Sequence, residues 1–209
     1  MTSLRRLASP FALVLFVTLT ASFCIPLQAE EKKPAASGSK GKKEAPAALK
    51  LPFDRAAVKR VEAIRFKAPG ESDKPDAQPA DPYTFLGAGG KTDFTKLREL
   101  TVKKADLTEA QIGTLIQGVY GKNEKMPPAA CYDPHHLFLF YDGEGKIINV
   151  VELCFSCTNV NSSPPMPEAN WYRHDFRKLA KLCDEAGIGL ESKTAAEYVR
   201  MLDVREGKE

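Results

Sequence analysis

Apolar and polar positions along the chain fall into patterns that predict a set of elements. In VKRVEAIRFK, residues 58–67, Ile64 and Phe66 alternate with charges among β-branched neighbours, which predicts a half-exposed strand. KLRELTVKK, residues 96–104, alternates weakly and fits either a strand or a short helix. Ile112, Leu115, Ile116 and Val119 then recur at helical spacing. Thr108 stands at the N-cap of that helix with Gln111 three residues on, as in a capping box, and Gly121 ends it. MPP, residues 126–128, opens a new extended segment. Near the C-terminus, Trp171, Phe176, Leu179, Leu182, Cys183 and Ala186 share one broad face of a helix that stops at Gly187. A last helix starts around Lys193 to Ala195, with Thr194 and Glu197 as a second capping box.

The segments between these elements are loops by composition. APGESDKPDAQPADPY, residues 68–83, is rich in proline and acidic residues, whose carboxylates are expected to be solvated. LGAGGK, residues 86–91, lacks the Lys-Ser/Thr of a phosphate loop and reads as a turn. TNVNSSPPMPEAN, residues 158–170, reads as a loop.

The clearest element is a hairpin. HHLFLFYD (135–142) and KIINVVELC (146–154) are both apolar, β-branched or aromatic, and DGEG between them fits a type I turn closed by a left-handed glycine. Neither strand alternates cleanly, which predicts a ladder covered on both sides or lying centrally. With Asp142 opposite Lys146, Phe140 faces Ile148, Phe138 faces Val150 and His136 faces Glu152. Extending the ladder brings Cys131 opposite Cys157. The fold class expected is α+β: a small antiparallel sheet centred on this hairpin, about residues 135–154, with about three helices over one face.

Composition changes the picture at the N-terminus. MTSLRR is a short basic stretch, PFALVLFVTLTASFC is uncharged and apolar, and cleavage after Ala29 puts Leu27 and Ala29 at the small-residue positions. Residues 1–29 therefore read as a signal peptide, too short in its apolar run to favour a span of the bilayer. Kept uncleaved, it would give a loose membrane association. EEKKPAASGSKGKKEAPAALK, residues 30–50, is too polar to bury a core and reads as a disordered linker. Residues 51–209 are then a single α+β domain of an exported, periplasmic or extracellular protein. The formal net charge of +3 gives no basic field for nucleic acid. No partner is named by the sequence.

Export places the remaining thiols in an oxidising compartment, where disulfides persist. Residues 131–157 hold three of the five cysteines and two of the three histidines. Three readings stay open. Cys131 can pair with Cys154 or Cys157 across the open end of the hairpin. Alternatively Cys131, His136, Cys154 and Cys157 form a Cys3His set for a metal, zinc being the ion such a set takes, with Glu152 orienting His136. His135 points to the opposite face from His136. A salt bridge from His136 to Glu152 is the simpler role for that residue. The third reading, thiol redox chemistry, is disfavoured because no helix follows Cys157, and Thr158 rules out haem attachment. Cys183, on an apolar helix face, is a small buried hydrophobe. No glycine-flanked nucleophile is present, so no catalytic residue is nominated although Asp133, His135 and Ser156 could be drawn as a triad.

The pattern Cys131, Tyr132, Pro134, His136, then Asp142 and Gly145, then Cys154, Phe155 and Cys157 resembles that of a set of small uncharacterised exported bacterial proteins, many of them lipid-anchored. The resemblance spans roughly residues 95–160 and includes the helix LTEAQIGTLIQGVYG. It implies a shared fold unit with a cysteine–histidine cluster and no particular reaction. Phe23 before Cys24 departs from the lipid-anchored members. The function expected is that of a non-catalytic module with a structural or switchable disulfide, with a metal-binding or metal-dependent protein as the alternative.

Overall fold

A computed structural model describes residues 49–71, 83–86, 93–126, 129 and 131–208. The leader, nearly all of the lysine-rich linker, most of the acidic proline-rich loop, the glycine turn beyond Leu86 and the prolines of MPP lie outside the described residues. The rest is α+β, as expected. Five antiparallel strands form one sheet in the order β2-β1-β3-β4-β5. They are β1 (Arg60–Phe66), β2 (Thr101–Asp106), β3 (His136–Tyr141), β4 (Ile147–Cys154) and β5 (Asn159–Ser163). The helices are α1 (Phe94–Leu100), α2 (Glu109–Tyr120), α3 (Phe176–Glu185) and α4 (Ala195–Arg205). None is long and apolar enough to cross a membrane.

The helix caps fall where the sequence puts them. Thr108 and Gln111 form the capping box of α2, and Thr194 and Glu197 that of α4, each exchanging side-chain and backbone bonds. α3 begins later than the apolar pattern suggests. Asp175 caps it, accepting from Lys178 N at 2.9 Å, while Trp171 stays half exposed. The ambiguous stretch 96–104 is both things at once. α1 runs to Leu100 and β2 starts at Thr101.

β5 corrects the loop expected after Cys157. Asn and Ser carry little β-propensity, so NVNSS does not announce a strand. It is an edge strand, with Val160 and Ser162 turned inward. Asn159 and Asn161 each accept the next residue's N–H at 2.9 Å, which occupies donors that an open edge would leave bare. The other edge, β2, carries Lys103 and Lys104 exposed.

Both faces of the sheet are covered. On one, Val61, Ala63, Phe138, Phe140, Val151 and Leu153 pack under α2, α3 and α4. On the other, Ile64, Phe66, Leu137, Leu139 and Val150 pack with Leu97 of α1 and with Phe85 and Leu86. Each fully buried aromatic or leucine contributes roughly 2 kcal/mol. The unbroken apolar runs of β3 and β4 have this two-sided burial as their cause.

The hairpin turn is as expected at its tip. Gly145 has φ +78°, and Asp142 Oδ1 accepts from Glu144 N and Lys146 N at 2.9 Å each. Tyr141 faces Ile147, but a bulge then shifts the ladder by one residue. Phe140 faces Asn149, Phe138 faces Val151 and His136 faces Leu153. The shift moves Glu152 opposite Leu137, onto the α1 face and away from His136.

Candidate functional site

The open end of the hairpin gathers the cysteines and histidines, with a cysteine pairing that differs from the Cys131 bridges drawn from the sequence. β4 ends at Cys154 and a tight turn leads into β5, with Cys154 opposite Asn159. The Cα atoms of Cys154 and Cys157 are 5.6 Å apart across this turn, and their sulfurs form a disulfide. The bridge therefore lies within Cys-x-x-Cys, and Cys131 remains a free, exposed thiol. Ala129, two residues before Cys131, does lie beside the turn, its N donating to Cys157 O at 3.0 Å. Both bridged cysteines are fully buried. Cys183 is the buried hydrophobe expected, with burial raising its thiol pKa.

Phe155, inside the bridged turn, is held by aromatic neighbours. Its ring meets His136, Phe176 and Tyr198 edge-on at centroid distances of 4.8, 5.6 and 5.3 Å. Tyr198 Oη donates to Phe155 O at 2.9 Å.

His136 points into this box and is 2% exposed. Its Nε2 bonds Gly189 O at 2.8 Å. Burial pulls its pKa down to about 4, against the Gly189 bond and the charge of Glu191, with His135 and Arg65 adding to the depression. It is a neutral core histidine, and the salt bridge to Glu152 does not form. Of the four residues nominated for a metal, Cys154 and Cys157 are bonded to each other, His136 is bound to a carbonyl and Cys131 is a free thiol.

Glu152 is fully buried and serves a different group. It accepts from Thr84 Oγ1 at 2.5 Å, Phe85 N at 2.7 Å and Tyr132 Oη at 3.1 Å. Burial raises its pKa, and these three donors counter the rise. It fixes the Tyr83–Leu86 segment and the motif tyrosine to the sheet.

His135 faces carboxylates. Its Nε2 lies 2.8 Å from Glu191 Oε1 and 3.2 Å from Glu71 Oε2, and its ring stacks on Phe66 at 6.0 Å. Burial lowers its pKa, but Glu191, Asp133 and Glu71 outweigh burial and lift it to about 9. Asp133 sits nearby, its own pKa raised by burial, and its Oδ1 is buried with no hydrogen-bond partner.

Two turns position these acids. Ala68-Pro69-Gly70-Glu71 closes with Glu71 N on Ala68 O at 3.0 Å and Gly70 at φ +82°, which fits a type II turn. Ala68 N in turn donates to Glu71 Oε2 at 2.7 Å. Glu191 lies in the α3–α4 loop, where three successive residues are tied to the sheet. His136 holds Gly189 O, Arg65 Nη1 donates to Leu190 O at 2.7 Å, and His135 meets Glu191. Composition predicts Glu71 to be solvated with the rest of its loop, and Glu191 carries no motif signal. The one available signal was the Pro-Gly turn before Glu71.

No family model matches the chain, and neither a curated protein nor a solved structure does.

Proposed function

We propose that this is an exported, non-catalytic module that acts by contact with a partner, its hairpin end fixed by the Cys154–Cys157 disulfide. The observation that carries this reading is the burial of both sulfurs behind a turn whose Phe155 is boxed by His136, Phe176 and Tyr198. A disulfide that exchanges needs an attacking thiolate to reach a sulfur. This one offers none to solvent, so it serves as a clamp. The motif residues shared with the exported bacterial proteins support the same view, because internal contacts engage most of them. Tyr132 holds Glu152, His136 holds Gly189, and Asp142 with Gly145 makes the turn. The basic, apolar, small-residue succession at residues 1–29 supports export.

Mass spectrometry of the non-reduced protein from a cell-envelope or secreted fraction tests this. The expected result is a chain lacking its leader, with Cys154 and Cys157 bridged, Cys131 and Cys183 as thiols, and slow reduction by dithiothreitol under native conditions. Free thiols at Cys154 and Cys157, or fast reduction with the fold retained, would overturn the clamp. Retention of the chain in the cytoplasm would overturn export.

A further inference from the structure

We propose that Glu71, His135 and Glu191 form a site for a first-row divalent transition ion such as Zn²⁺, distinct from the cysteines. The three ligand atoms lie within 4.8 Å of one another. Two carboxylate oxygens approach the same imidazole nitrogen, at 2.8 and 3.2 Å. One N–H is a poor match for two such acceptors, whereas a cation among the three atoms satisfies all of them. Zinc in a tetrahedral set of nitrogen and oxygen ligands spaces its donors by roughly 3.3 Å, close to the 2.8 and 3.2 Å from His135 Nε2 to the two carboxylates.

The identity of the donors selects the class of ion. An imidazole beside carboxylates suits zinc and its first-row neighbours, while calcium and magnesium take oxygen alone. The absence of sulfur from the set disfavours soft ions. The supporting residues are arranged as around a ligand set. Ala68 N orients Glu71, Phe66 stacks on His135, and Leu190 beside Glu191 is held by Arg65. Asp133 adds a further negative charge beside His135; its carboxylate takes a backbone bond from Tyr83, and its buried Oδ1 has no donor. The His135 side chain is 10% exposed while those of Glu71 and Glu191 are 30% and 42% exposed. The ion would therefore enter from the carboxylate side and keep one or more positions for water. Bound there, it would tie together the turn after β1, the start of β3 and the α3–α4 loop.

The test is a calorimetric titration of the chelator-treated, non-reduced chain with Zn²⁺ alone. One equivalent is expected to bind. Glu71→Gln and Glu191→Gln keep the size and hydrogen-bonding reach of the side chains and are each expected to weaken binding by at least about tenfold. Cys131→Ser is expected to leave it unchanged. Co²⁺ bound to the wild-type chain gives a second readout that needs no variant, a d–d spectrum without thiolate-to-metal charge transfer. The site is overturned by the absence of stoichiometric Zn²⁺ binding, by binding that survives both glutamine substitutions, or by a sulfur charge-transfer band. The glutamine substitutions act on residues outside the cysteine pair, so loss of the bridge leaves their effect on binding to be read, and the clamp and the ion site can fail separately.

Discussion

His135 and His136 are neighbours in the chain and inhabit opposite surroundings. On the His136 side the protein is dry. An aromatic box, a buried disulfide turn and a backbone carbonyl surround a neutral ring. On the His135 side it is charged and open at the mouth, with Glu71, Glu191 and Asp133 around a ring that favours its proton. Extended backbone sends successive side chains to opposite faces, so the pair had to separate. Which member met core and which met carboxylates was decided by elements far off in sequence, above all the α3–α4 loop. A histidine pair in an apolar strand therefore indicates two environments without saying which residue occupies which.

Acid should break the comparison most strongly, in metal-free protein. The folded pKa of His136 is lowered to about 4, from an unfolded value near 6.5. The unfolded chain binds the extra proton, so stability is full above about pH 6.5 and falls as pH drops towards 4, by roughly 3 kcal/mol from this group. His174, also lowered by burial, acts in the same direction. His135 has the opposite sign. Its contribution is present below about pH 6.5 and is lost as pH rises through about 9. Urea unfolding across pH, with NMR titration of the ring protons, measures both, and coincident midpoints would erase the distinction.

Next in size is truncation. His136→Ala should cost about 3 kcal/mol, because it leaves a cavity in the box and a bare Gly189 carbonyl. His135→Ala should cost about 2 kcal/mol at pH 7, the pairing it loses with Glu191, Asp133 and Glu71. Equal losses in urea would show that the dry side is no more tightly packed than the wet one. Replacing Cys154 and Cys157 together by Ser should cost about 2 kcal/mol on the chain-entropy model for so short a loop. A loss confined to the turn, seen as hydrogen-exchange deprotection of β5, would sharpen the assignment. The smallest effect belongs to Glu191→Gln without metal, within about 0.5 kcal/mol by thermal unfolding. A large loss there would make the charged side a structural core.

What the sequence made legible was local. Both capping boxes, the Asp142–Gly145 turn and the two-sided ladder depend on residues within a few positions of one another, and all three are present. β5 was hidden because its strand character comes from pairing with β4 and not from Asn and Ser. The bulge beside Tyr141 was hidden too, and one extra residue there was enough to move Glu152 from His136 to Tyr132. The cysteine pairing went to the nearer partner. Cys154 and Cys157 already meet across a turn, while Cys131 lies beyond Pro134, where the ladder has ended. The carboxylates around His135 come from positions 71 and 191, a separation that no spacing rule spans.

The three ties of the α3–α4 loop to the sheet have a consequence for the order in which the molecule assembles. β1 meets β3 across some seventy residues of chain, and the loop at Gly189–Glu191 must then find both. Contacts of such long range close late, after the helices and the hairpin. His135 can meet Glu71 and Glu191 together only when all three segments have arrived. A proton or an ion held there binds the finished fold more tightly than the unfolded chain, so occupancy is thermodynamically linked to completion of folding.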